Sequence, residues 1–121
     1  MLVSASVGLA VIAAIAFAVT MALYIRAFRR LVDIECRYAE DQWERDGRPL
    51  GGHRTRKQAS FWGSDFATVA CFASWLRATP SWASNIPEAA LLLKRTRHFF
   101  ALHVASGLIF FAILFWYEYG S

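Results

Sequence analysis

Few side chains in this 121-residue chain could do chemistry. His98 and His103 lead, since an imidazole can ligate haem or a metal, or carry a proton. His103 falls about one turn inside an apolar run, where an ionisable residue suggests function. A haem or metal there would want a second ligand on a facing helix. Residues 2–25 offer no His, Cys, Asp or Glu, and only Met21 as a soft donor. His98 and His103 are five apart, so they point to different sides of a helix. The plainer role for His103 is a hydrogen bond to a headgroup, to water or to a hydroxyl such as that of Thr20. Cys36 and Cys71 stand outside any CxxC or His pairing. They read as free thiols of a reducing compartment or as fillers of an apolar face. Asp65 and Glu88 suit helix starts better than acid–base work. GxSxG, HExxH, paired-carboxylate, DxD and phosphate-loop patterns are absent. The expectation is a non-enzymatic chain with no catalytic residue, no metal site and no cofactor. His98 and His103 remain the only cofactor-binding candidates.

The elements that would hold these residues are written in the charge pattern. Residues 2–25 carry no charge, and residues 99–117 form a second apolar run. At 1.5 Å rise per residue either run crosses a hydrocarbon layer of roughly 30 Å. All 13 Lys and Arg lie between Arg26 and Arg97, with eight of the nine acids, so the centre is basic and the ends are near neutral. About 70 central residues could not cover two such runs in a soluble fold. Basic residues crowd the inner ends of the runs: Arg26, Arg29 and Arg30 after the first, Lys94, Arg95 and Arg97 before the second. There they suit anionic lipid headgroups better than nucleic acid. Trp116 and Tyr117 mark the far interface. A cleaved signal peptide would place its basic residues before the apolar run, so an uncleaved anchor is expected. The positive-inside bias then puts both termini outside and the centre in the cytoplasm.

Between the runs, residues 26–46 read as an amphipathic cytoplasmic extension of the first helix. Phe28, Leu31, Val32, Ile34, Tyr38 and Trp43 form its apolar stripe. Gly47, Pro49, Gly51 and Gly52 stop it, and residues 47–57 read as a basic loop. Residues 58–79 read as an aromatic helix capped at Ser64. Its apolar core, residues 66–76, is too short to span, so it is expected to be buried or to lie at the interface. Residues 80–86 read as a turn, with Trp82 as a further interfacial anchor. Asn85 and Pro87 signal a helix start, with residues 87–98 leading into the second span. Small residues at Ala10, Ala14, Ala18 and at Ala101, Ala105 suggest close packing of the two spans, or a homodimer. The fold class is an all-α membrane protein. Two transmembrane helices flank a basic cytoplasmic helical segment that includes an interfacial aromatic helix.

Four features carry a resemblance. They are the charge-free opening span followed by Arg26 and Arg29-Arg30, the amphipathic helix ending Trp43-Glu44-Arg45-Asp46-Gly47-Arg48-Pro49, the aromatic helix around residues 66–76, and the lead Leu93-Lys94-Arg95-Thr96-Arg97 into the closing span. In layout the chain resembles the bacterial universal stress protein B group and similar small two-span membrane proteins. The resemblance implies an integral inner-membrane protein linked to stress or stationary-phase survival, and it transfers no catalytic residue. The expected partners are a bilayer with anionic headgroups and a membrane protein or second copy, with no nucleic acid. Two other readings stay open: an accessory subunit of a larger respiratory or photosynthetic complex, and a haem- or quinone-binding redox protein.

Overall fold

The computed structural model describes residues 2–49 and 61–120. Within them it is helical, with no strand. The helices are α1 (Leu2–Tyr38), α2 (Glu40–Arg45), α3 (Phe61–Arg77), α4 (Ser81–Ser84) and α5 (Pro87–Tyr119). Two compact units share the long helices. The span unit comprises residues 1–24 and 98–121, and the central unit residues 25–97.

In the span unit, α1 and α5 pair along a seam with three- and four-residue steps. Ala13 and Thr20 are buried on α1, Gly107 on α5, and Phe17, Tyr24, Phe100 and His103 are half-buried. This is the 3.5-residue repeat of knobs-into-holes packing. Gly107 lets the helices approach, since a Cβ there would meet the Phe17 ring at 3.0 Å. The small-residue expectation is only partly met. Ala18, Ala101 and Ala105 are exposed, while Ala10 and Ala14 line an apolar cleft of about 380 Å³ with Phe110, Leu114 and Tyr117. Large side chains point outward all round: Ile12 is 65% exposed, Leu108 67% and Phe111 64%. Both long helices are apolar and long enough to cross a membrane, and only 6% of their most apolar stretches is buried.

The central unit has a true core. Phe28, Leu31, Val32 and Ile34 of α1 pack with Trp43, with Cys71 and Trp75 of α3, with Trp82 and Ala83 of α4, and with Ala89, Leu92 and Leu93 of α5. Phe28 sits edge-on to Phe72 and tilted against Trp75, and Trp75 edge-on to Trp82. Tyr38, assigned to the stripe from its spacing, is exposed. The reason is a break at Ala39 (φ −140°, ψ 53°), which ends α1 and turns α2 so that Trp43 enters the core at 1% exposure. Trp43 Nε1 donates to the Pro49 carbonyl at 3.1 Å.

The stop after α2 has a definite geometry. Gly47 N–H donates to Glu44 O and Arg48 N–H to Trp43 O, the paired bonds of a Schellman motif. Gly47 has φ +88° and Arg48 φ +58°. Other boundaries move from expectation. Helix α3 begins at Phe61, so Ser64 lies inside it rather than capping it. The turn at 80–86 contains one helical turn, α4, and Trp82 is core rather than an interfacial anchor. Asn85 ends α4, so the residue before α5 is Ile86, while Pro87 takes the first helical position as expected. Gly51, Gly52 and the basic loop beyond Pro49 lie outside the described residues, as do residues 58–60 of the aromatic segment.

A Cβ at position 47 would lie 2.9 Å from the Ala67 Cβ, at a backbone angle that side chains rarely adopt. Gly47→Ala is therefore expected to destabilise the fold by about 1–3 kcal/mol. Thermal unfolding in detergent followed by circular dichroism checks this; an unchanged midpoint would contradict the turn geometry.

Candidate functional site

The most unusual side chain belongs to Glu35, which the apolar-stripe reading left out. It lies three residues past Val32 and four past Leu31, on the buried face of α1, and its exposure is 0%. Neither carboxyl oxygen completes a hydrogen bond, and the indole N–H of Trp82 is likewise unpartnered. Burial, the largest effect, pushes the Glu35 carboxyl up to about 9. The neighbouring Asp46 adds to the shift, by contact with the protonated acid and by repulsion of the ionised one, while the Trp82 indole opposes it. A neutral carboxylic acid is the form this site accommodates, because an unpaired buried carboxylate costs several kcal/mol.

The site is closed from the other elements as well. Asp46 Oδ1 accepts from Gln42 Nε2 at 2.9 Å. The Cys71 thiol approaches the Asp46 carbonyl at 3.8 Å. Burial first, then Asp46 and Glu35, pushes that thiol up to about 12, which keeps it protonated and a poor nucleophile. Cys36, also outside any disulfide, is half-buried.

His103 occupies the span unit's polar spot. Its Nδ1 lies 3.0 Å from the Phe17 carbonyl and 3.5 Å from Thr20 Oγ1. A carbonyl only accepts, so Nδ1 carries the hydrogen there and Nε2 is the ring's remaining polar atom. The ring stacks on Phe17 with centroids 4.0 Å apart and meets Tyr24 edge-on. The expected Thr20 hydroxyl is thus present. The Phe17 carbonyl was invisible to a residue-by-residue reading, because Thr20 Oγ1 shares it with His103. His98 is exposed and does not converge with His103. No cluster of three metal-ligating side chains occurs among the described residues.

The basic residues named from sequence separate into two groups. Arg26, Arg29, Lys94 and Arg95 are exposed, and so are Trp116 and Tyr117. Arg30 pairs with Glu88 at 3.3 Å on the surface, an interaction of little energy. Arg97 turns onto its own unit. Its Nε and Nη2 donate to the Trp75 carbonyl at 3.0 and 2.7 Å, satisfying a last-turn carbonyl of α3. No family model, curated protein or solved structure matches the chain.

Because Glu35 is held protonated in the fold and ionises near its usual 4.5 when unfolded, folding takes up a proton between those values. Stability is therefore fully present below about pH 4.5 and falls as pH rises towards 9. Glu35→Gln should flatten that slope and raise stability at pH 8–9 by on the order of several kcal/mol. Unfolding midpoints across pH 4–9.5 decide it; parallel profiles for the two proteins would rule the assignment out.

Proposed function

We propose that the protein is a small, non-enzymatic integral membrane protein of a bacterial inner membrane that works by binding lipid or a membrane partner. The observation that carries the reading is the outward-facing apolar surface of two helices, 37 and 33 residues long, whose most apolar stretches are only 6% buried. A surface of that kind has no stable place in water. Their backbone groups are bonded within each helix, which is what a hydrocarbon layer demands.

The orientation follows from charge. All 13 basic residues fall between Arg26 and Arg97, so the positive-inside bias puts the central unit in the cytoplasm and both termini outside. Exposed Arg26, Arg29, Lys94 and Arg95 then face anionic headgroups, each attraction being worth about 1 kcal/mol near the surface. Trp116 and Tyr117, 69% and 62% exposed, suit the opposite interface. The aromatic helix α3 belongs to the same cytoplasmic unit. A role in stress survival rests on the layout shared with the universal stress protein B group.

Two measurements test this. The chain should stay in the membrane fraction through alkaline carbonate extraction, and release into the supernatant would sink the integral reading. In a Cys71→Ser background, a membrane-impermeant maleimide should label Cys36 only after the cells are opened; labelling of intact cells would invert the topology.

A further inference from the structure

In the central unit a helix break, a buried carboxyl and a groove lie together, and they suit the parts of a flap: a hinge, a catch and room to move. The hinge is Ala39, whose non-helical backbone separates α1 from α2 while its N–H still bonds Glu35 O at 2.8 Å. The flap is α2 with the turn to Pro49, ordered within itself by the Schellman bonds, the Trp43–Pro49 bond and the Gln42–Asp46 bond. Its closed position sets Asp46 beside buried Glu35 and lays the Asp46 carbonyl over the Cys71 thiol. A groove of about 550 Å³ opens at the hinge, lined by Arg37 and Tyr38 before it, Gln42 and Arg45 after it, and Trp82 and Asn85 opposite.

We propose that Glu35 is the catch of this flap: α2 and its turn close over the neutral carboxyl and lift about Ala39 when it ionises.

The physics runs one way. An ionised Glu35 would be a buried charge that completes no hydrogen bond, with only the Trp82 indole N–H near it to favour the charge and a second carboxylate facing it from the flap. Lifting the flap removes Asp46 and admits water from the groove, so both costs fall together. The groups packed around Glu35 offer no other relief. Asp46 is acidic, Cys71 on α3 is a protonated thiol and Trp82 on α4 does not titrate. The core positions of α5 are Ala89, Leu92 and Leu93, and those of α1 are Leu31, Val32 and Ile34. Opening uncovers Trp43 and the Cys71 face of α3, an apolar surface shown or hidden by one proton.

Cys71 reports the flap directly. In full-length protein carrying Cys36→Ser, in detergent micelles, its alkylation rate is measured from pH 6 to 10. At each pH the rate is divided by that of a free small thiol, which removes ordinary thiol titration. The relative rate should rise tenfold or more on the alkaline side, at pH values where far-ultraviolet circular dichroism shows the helices intact. Glu35→Gln should stay slow throughout. Asp46→Asn, which takes away the carboxylate whose repulsion the lifting relieves, should shrink the rise or move it to higher pH. A pH-independent rate in the Cys36→Ser protein, or the same rise in Glu35→Gln, would overturn the catch. If Glu35→Gln does not fold, Asp46→Asn decides alone, and a rise of unchanged size at an unmoved or lower midpoint refutes the proposal.

Discussion

Everything in the central unit depends on one indole. Trp43 is the largest side chain to be almost wholly enclosed, and it reaches the core only because the chain breaks at Ala39. Its ring belongs to the same buried cluster as Phe28, Leu31 and Val32, while its N–H holds Pro49 and so draws the end of the turn inward. A buried indole that lacked this acceptor would forfeit much of what its burial contributes. The same return of the chain brings Asp46 towards Glu35, so the feature that organises the core also creates its electrostatic tension.

The span unit obeys a different rule. Its large apolar side chains point outward rather than into the seam, so packing of small and aromatic groups and hydrogen bonds hold the two helices together. The seam shows both. Gly107 admits the Phe17 ring, and His103 reaches across to the Phe17 carbonyl beside Thr20. That carbonyl also lies 3.1 Å from the Thr20 hydroxyl, whose shorter bond, at 2.6 Å, goes to the Ala16 carbonyl, so the cross-helix donor from His103 shares its acceptor with Thr20.

The long elements were legible because long apolar runs and flanking charges are strong, local signals. The reach of α1 past residue 25, the stop at Gly47 and the start of α5 at Pro87 all follow from where Gly and Pro do and do not occur. The short elements were not. Nothing in Tyr38-Ala39-Glu40 marks a break, since Ala favours helix; the break exists because tertiary packing of Trp43 outweighs propensity. Trp82 looked like an interfacial residue because a lone Trp near a turn carries no sign of what covers it. Glu35 could have been found. A carboxylate three and four residues from Val32 and Leu31 sits on the apolar face by helical geometry alone. Arg97 could not, because its acceptor is a carbonyl 22 residues earlier in the chain.

The contact between Gly47 and Ala67 has a consequence for how such a chain can change over generations. The two positions lie 20 residues apart in sequence and share one small volume, in which even a single added methyl is crowded to 2.9 Å. Position 47 cannot gain a side chain against Ala67, and its positive φ favours glycine whatever stands opposite. Among descendants that keep this turn, glycine should therefore be retained at 47, with a small residue at 67 where the two meet. That joint restriction would mark the fold even where every other identity has been lost.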